Sequence, residues 1–211
     1  MEVKKVGEIA GIYRGRSYKS DDLVENGGLP FLNLKCIERD GGFRYDGIKR
    51  YQGPFKQSQA AIPGDIIMAV TDMTQERRLI ARAARVPDIA DELFVLSMDL
   101  VKILPKMNIP SDYLYAMLRF SDFPDEVKQH ANGVNVLHLN PNCIEDFVFT
   151  LPPAYLREKY GMFCSEAYKL CDNLNMKNGN LRGTRDPLLP KLISGELNVE
   201  NLEIEVEEMN S

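Results

Sequence analysis

The sequence has few of the residues from which metal sites, disulfide frameworks and membrane spans are built. Its 211 residues include two histidines, His130 and His138, and four cysteines without a CxxC pair, so neither a zinc site nor a disulfide framework is predicted. No apolar run approaches the roughly 20 residues that a membrane span needs. The N-terminal segment also lacks the apolar stretch of a signal peptide. We therefore expect a cytoplasmic protein with no metal and no cofactor.

Catalytic motifs are equally scarce. The sequence contains no Walker loop, HExxH or GxSxG motif. Residues 151–155 depart from the (Asn/Asp)-Pro-Pro-(Tyr/Phe) motif of amino-methyltransferases, because Leu151 stands where an amide or carboxylate would hold the target amine. Residues 125–128 are Asp-Glu-Val-Lys directly after Pro124, which is typical of a solvated helix start rather than a nuclease metal site. We expect no active site.

Charge is distributed unevenly along a chain whose formal net charge is −5. Residues 14–85 carry thirteen Lys/Arg against nine Asp/Glu, whereas residues 86–153 carry four against ten. Residues 196–211 have six acids and no base. Such asymmetry permits a basic face on an acidic protein, and nucleic acid therefore remains a possible partner.

The chain changes its hydrophobic pattern at Pro152–Pro153. Before this point, apolar runs predict strands at residues 29–34 and 66–70, and a helix is predicted at residues 112–120. The double proline ends a strand, and its second residue can begin a helix. We therefore predict a mixed α/β domain over residues 1–153.

A heptad pattern follows the double proline. Apolar residues recur at intervals of seven and at early intermediate positions, forming a seam of Tyr160, Phe163, Ala167, Leu170, Leu174, Leu181 and Leu188. This spacing is typical of a helix that packs against another helix. A helix over about residues 154–195 would be roughly 60 Å long, so one end should project, and an acidic tail follows it. Periodicity alone fits an ordinary core helix about as well.

Polar loops hold cations and hydrogen-bonding side chains. Three loops at residues 14–19, 44–51 and 71–78 and a turn at residues 132–135 contain Arg14, Arg16, Tyr18, Lys19, Arg44, Lys49, Arg50, Tyr51, Thr71, Thr74, Gln75, Arg77, Arg78, Asn132 and Asn135. Arginine and lysine suit phosphates, and amides suit base edges. For each residue this function competes with ordinary loop solvation.

Four segments, in this order, resemble the specificity subunit of type I restriction-modification systems. They are residues 62–69 with Thr71 and Arg82, residues 112–118, residues 131–139 leading into Pro152–Pro153, and residues 181–197. The last segment is the most specific, and together they span nearly the whole chain. A full subunit of that family has two recognition domains and two helices, whereas this chain has one of each and looks like half a subunit. It also has Tyr155-Leu156-Arg157 where a glutamine commonly follows the Pro-Pro turn.

The resemblance implies a fold and a function. The fold is α+β: a mixed α/β target-recognition domain at residues 1–153, then residues 154–211 with a long helix that pairs as an antiparallel coiled coil. The implied function is non-catalytic. The chain would read one half of a bipartite target on double-stranded DNA, dock the methyltransferase and restriction subunits, and pair with a second copy of itself. Gln75 could bind adenine, and Arg77 or Arg78 guanine. A truncated or silent cassette that only dimerises is the alternative.

Overall fold

The computed structural model describes residues 2–89, 93–106 and 108–197, and the chain divides into two compact units, Met1–Ala167 and Tyr168–Ser211. The strands are β1 Glu2–Lys5, β2 Ala10–Arg14, β3 Leu23–Val24, β4 Leu29–Leu32, β5 Lys49–Tyr51, β6 Ala60–Ala61, β7 Ile66–Ala69, β8 Thr71–Asp72, β9 Ala83–Arg85, β10 Phe94–Leu96, β11 Leu100–Pro105, β12 Leu137–His138 and β13 Val148–Leu151. The helices are α1 Val6–Ile9, α2 Ser111–Phe120, α3 Phe123–Val127, α4 Pro141–Glu145 and α5 Ala154–Ile193.

A four-stranded antiparallel sheet forms one layer of the first unit. Its strand order is β2–β11–β7–β9. All four residues of β7 are buried, because the strand lies between β11 and β9 and is covered on both faces. This explains why its sequence is a continuous apolar run rather than an alternating one. The turn before it places Gly64 at a φ of 88°, a conformation that favours glycine.

A five-stranded sheet forms the second layer, in the order β3–β5–β4–β10–β6. Strand β10 is parallel to β4, and the other pairs are antiparallel. Buried residues from both sheets share one cluster, which includes Leu32, Ala61, Ile67, Phe94 and Leu100. The hydrophobic core therefore joins the two sheets, as expected for a mixed α+β domain.

Two small antiparallel ladders complete the first unit. Strand β1 pairs with β13, so that Glu2 lies opposite Leu151, and this ladder ties the start of the chain to the segment just before α5. Strand β8 pairs with β12, with Leu137 opposite Asp72 and His138 opposite Thr71. The second ladder brings two distant loops side by side, and the candidate site is built on it.

The first turns of α5 pack on the start of α2. Gly161 and Cys164 are the buried residues of the helix. A Cβ on Gly161 would lie 2.9 Å from Cβ of Pro110, so glycine permits the close approach. The Tyr160 and Tyr113 rings meet edge to face at 6.4 Å. The helix thus contacts the domain through Tyr160, Gly161 and Cys164 and leaves Phe163 of the seam exposed.

In the second unit, α5 continues to Ile193 with Pro187 and Pro190 inside it. The seam residues Leu170, Leu174, Leu181 and Leu188 are between 40% and 66% exposed. The predicted long helix is therefore confirmed, whereas its pairing and the predicted domain boundary near Pro153 stay predictions. Most of the predicted acidic tail lies outside the described residues. Among the helices described, none is both long and apolar enough to cross a membrane.

Candidate nucleic-acid interface

Asp72 closes the loop that follows β8. Its side chain is buried, and Oδ1 accepts hydrogen bonds from the backbone N–H and the hydroxyl of Thr74 at 2.8 and 2.9 Å. The other oxygen, Oδ2, accepts the backbone N–H of Leu79 at 2.9 Å. One carboxylate therefore joins both ends of the loop at residues 73–78, which fixes its position relative to the strand.

Two long side chains join this loop to a second one. Gln75 donates from Nε2 to the carbonyl oxygen of Val134 at 2.7 Å, and Arg77 donates from Nη1 to Oε1 of Gln129 at 3.1 Å. Residues 72–79 and 129–136 consequently form one surface, which we call the paired-loop surface. Arg77 adopts a φ of 55°, which is uncommon for a residue other than glycine.

The second loop is a tight hairpin. The backbones of Asn132 and His138 exchange two hydrogen bonds of 3.0 and 2.8 Å. A Cβ on Gly133 would collide with the carbonyl oxygen of Val136, so the turn requires glycine there. Asn132 also donates from Nδ2 to the carbonyl oxygen of His130 at 3.0 Å. Val134 and Asn135 lie exposed at the tip.

Arg14 lies beside the paired-loop surface. It is exposed at the end of β2, where its Nε donates to the carbonyl oxygen of Met98 at 3.1 Å. The same side chain lines a cleft together with His130, Asn132 and His138. The structure therefore brings Arg14, Thr74, Gln75, Arg77, Arg78, Asn132 and Asn135 to one region. Within it, Arg78 forms an ion pair with Glu76 at 2.8 Å.

The rest of the loop at residues 14–19 serves partly as an anchor. The backbone of Arg16 bonds to Leu96 and Met98, each at 2.7 Å. The Tyr18 ring packs edge to face on Phe31 at 4.7 Å, and burial, with the nearby carboxylate of Asp99, raises the pKa of the Tyr18 hydroxyl. Lys19 is exposed.

The cations of residues 44–51 lie on and beside the five-stranded sheet. Arg44 binds the carboxylate of Asp46 through Nε and Nη2 at 3.1 and 2.6 Å, and this hydrogen bonding lowers the pKa of Asp46. Lys49 and the half-buried Arg50 line a separate cleft with Leu23. Lys49 and Arg50 thus share one cleft, whereas Arg44 is held by Asp46.

Two predicted contact residues are corrected by the structure. The Tyr51 ring is 1% exposed, stacks on Phe31 at 5.1 Å and donates its hydroxyl to the carbonyl oxygen of Pro54 at 2.9 Å. Thr71 is also buried, with Oγ1 3.4 Å from Nδ1 of His138. Neither side chain offers a surface to DNA, because each is enclosed by its own domain.

Sequence reasoning missed Asp72, Gln129 and Val134. The Asp-x-Thr spacing at residues 72–74 is a signal for a turn closed by a side chain. Val134 stands out as a β-branched apolar residue in an Asn-Gly-Val-Asn turn. Gln129 gives no such signal. Within residues 2–89, 93–106 and 108–197, no group of three or more His, Cys, Asp or Glu side chains is arranged to hold a metal ion.

Comparison with known proteins defines the family. Residues 1–166 match the family model described as type I restriction modification DNA specificity domain, and the chain belongs to that family. This confirms the predicted relationship to type I specificity subunits. The matched model describes the DNA-specificity part of such a system.

Individual relatives support the same fold. The specificity subunit of the type I restriction enzyme MjaIX from Methanocaldococcus jannaschii is 24% identical over 208 residues, which cover 95% of this chain and 45% of that protein. The S subunit from M. genitalium has a TM-score of 0.62 at 12% identity, with 92% of this chain and 46% of that chain covered. The HsdS subunit from Thermoanaerobacter tengcongensis has a TM-score of 0.56 at 16% identity. This match covers 93% of the present chain and 45% of that subunit. The chain thus spans less than half the length of these relatives.

Proposed function

We propose that the chain reads one half of a bipartite site on double-stranded DNA, and that the paired-loop surface is the part that reads it. The observation that carries this proposal is the closure of two polar loops into one surface by Asp72, Gln75 and Arg77. Base readout needs side chains held at fixed positions, because a hydrogen bond to a base edge discriminates only when its geometry is set. A merely solvated loop would not need three such contacts.

The residues have different roles in this proposal. Arg77, Arg78, Asn132 and Asn135 face the bases, and Gln75 contributes through its Oε1 while its Nε2 holds Val134. Arg14, Arg16, Tyr18 and Lys19 contact the adjoining phosphates, and Arg44, Lys49 and Arg50 form a separate phosphate-binding group. Affinity rests on these cations through counterion release, so it should fall steeply as salt rises.

Assembly is the second part of the proposal. The exposed seam of α5 pairs as an antiparallel coiled coil with the same helix of a second copy, which buries the apolar stripe of both. The paired chains dock methyltransferase subunits, and a restriction subunit joins them, in the cytoplasm. The support is the exposure of Leu170, Leu174, Leu181 and Leu188 on one continuous helix.

A binding assay tests DNA recognition. The full chain, with its cognate methyltransferase subunit, is mixed with a randomised duplex pool, and bound duplexes are recovered by mobility shift and sequenced. We expect one enriched sequence, whose binding weakens with salt and is lost in the double variant Arg77→Ala, Arg78→Ala. The control variant Arg39→Ala removes a cation from the loop at residues 37–43 and should keep the same enriched sequence.

One observation favours a different function. Arg78 is paired with Glu76, and Arg44 with Asp46, so neighbouring acids already neutralise two candidate cations. A cassette that dimerises through α5 without binding DNA would show this pattern. Light scattering would then detect a dimer, while the duplex pool would show no enriched sequence at any salt concentration.

The proposal also predicts that the chain alone catalyses no reaction on DNA. Purified chain incubated with duplex DNA and a labelled methyl donor should transfer no label, and it should leave supercoiled plasmid intact. Label should appear only after the methyltransferase subunit is added. Transfer by the single chain would contradict the proposed division of roles.

A further inference from the structure

Val134 has an exposure that the fold does not explain. It is 90% exposed, the highest value among the large apolar side chains in the described part of the chain. The turn that carries it owes its shape to Gly133 and to the backbone bonds between Asn132 and His138. A β-branched residue contributes nothing to such a turn, which asparagine or serine would suit better.

The backbone of Val134 is nevertheless held from two directions. Its own hairpin fixes it through the Asn132–His138 pair, and Gln75, on the other loop, donates to its carbonyl oxygen at 2.7 Å. Asp72 in turn fixes the loop that carries Gln75. An isopropyl group is thus presented to solvent at a defined position on the paired-loop surface.

The surroundings indicate which ligand suits this group. Val134 is flanked by the side chains of Gln75, Asn132 and Asn135, whose amides match the donors and acceptors of base edges. A protein partner would call for a wider apolar patch than one side chain supplies. In the major groove of DNA, the apolar group that lies among donors and acceptors is the C5-methyl of thymine.

We infer that Val134 is a specificity-determining residue that packs on the C5-methyl group of a thymine in the half-site, and that Gln75 is the positioning residue that fixes Val134. The inference rests on the proposed function, since it requires the paired-loop surface to face the major groove. It adds an apolar contact to an interface otherwise made of hydrogen bonds and charge.

The experiment removes the contact from each side in turn. The probe is the duplex enriched by the wild-type chain with its methyltransferase, resynthesised with deoxyuridine replacing thymidine at one position at a time. Deoxyuridine lacks the methyl group and keeps the base-pairing edge. We expect one position at which wild-type affinity falls about four-fold, the value for one buried methyl-sized group. The variant Val134→Ala should bind the thymine duplex more weakly and lose most of this discrimination.

Two further variants complete the design. Gln75→Glu removes the N–H donor to Val134, and it should reduce the thymine-to-uracil discrimination while leaving the thermal midpoint unchanged. Val3→Ala makes the same truncation at another exposed valine, and it should retain full discrimination. If no sequence is enriched, DNA recognition itself fails and this inference with it. If a sequence is enriched but no position responds to uracil, or Val134→Ala keeps the wild-type response, only the thymine contact is overturned.

Discussion

Arg77 combines an unfavourable backbone with a half-buried position on the paired-loop surface. A non-glycine residue in the left-handed region costs on the order of 1 kcal/mol, and Arg77 accepts this cost at a φ of 55°. We predict that Arg77→Gly leaves the free energy of unfolding unchanged or raises it by up to about 1 kcal/mol. Affinity for the enriched duplex should fall about ten-fold or more, as expected for a lost guanine or phosphate contact. Urea denaturation and binding isotherms measure the two quantities.

Ala81 supplies a matched control, because it also has a left-handed backbone, with a φ of 61°. Ala81 is fully buried, so Ala81→Gly loses methyl contacts as well as backbone strain, and the two effects on the free energy of unfolding offset each other. DNA affinity should not change in this variant. If Arg77→Gly binds DNA like the wild type, the Arg77 side chain has no role in recognition.

Asp72 is expected to matter for stability as well as for the loop. Asp72→Ala leaves the N–H groups of Thr74 and Leu79 without their acceptor, and a hydrogen bond to a charged group contributes about 1.5–3 kcal/mol. We therefore predict a fall of about 2–4 kcal/mol in the free energy of unfolding, together with weaker DNA binding. The exposed Asp88 gives the control Asp88→Ala, which should stay within about 0.5 kcal/mol of the wild type. Equal stability of both variants would show that the Asp72 contacts contribute little.

Individual residues differed in how well their positions could be predicted. The polar loop after β7 was foreseen, because a buried strand followed by charged residues marks an exposed edge. The burial of Tyr51 was not foreseen, because the sequence does not reveal that β5 lies between β3 and β4. In that position the Tyr51 ring stacks on Phe31. The Asp-x-Thr spacing signals only the bonds of Asp72 to Thr74, whereas its bond to Leu79 closes a longer loop that no local pattern encodes.

At the scale of elements, long periodic segments were predictable and very short ones were not. The heptad pattern predicted a helix over about residues 154–195, and α5 extends from Ala154 to Ile193. Strands β8 and β12 have two residues each, too few to show alternation, although their pairing creates the paired-loop surface. The face by which α5 contacts the domain also escaped prediction, because its buried residues are a glycine and a cysteine, which lie beside the seam residue Tyr160.

The seam of α5 yields a prediction about assembly. Replacing Leu174 and Leu181 by Asp puts charges into the proposed helix pair, where an unpaired charge is strongly disfavoured. The double variant should be monomeric at tens of micromolar by light scattering and should lose specific binding, while the domain that contains the paired-loop surface stays folded. The control Asn175→Asp with Arg182→Gln changes the net charge equally, at positions one heptad apart and away from the seam, and should remain dimeric. A wild-type chain that stays monomeric with methyltransferase and DNA would contradict the pairing.

At the scale of the whole molecule, charge counted along the sequence does not map onto one face. Strand β11, from the acidic stretch of residues 86–153, pairs with β7 from the basic stretch. The paired-loop surface likewise takes Arg77 and Arg78 from the basic stretch and Asn132 and Asn135 from the acidic one. The fold, not the local charge balance, therefore assembles the candidate interface, and only the family resemblance could indicate it from sequence.

Pairing through α5 makes a prediction about the DNA target. If two copies of the chain pair antiparallel, a two-fold axis relates their paired-loop surfaces, and an isologous contact gives both copies the same environment. Each copy then reads the same bases on opposite strands, so the target should consist of two identical half-sites in inverted orientation. A spacer of fixed length should separate them, because the paired helices have one register.

Methylome sequencing of cells with and without the gene should reveal such a motif, present only when the gene is intact. In cells whose only copy of the gene encodes the Leu174→Asp, Leu181→Asp variant, the motif should be unmethylated. Two unlike half-sites would instead mean that α5 pairs with a different specificity chain.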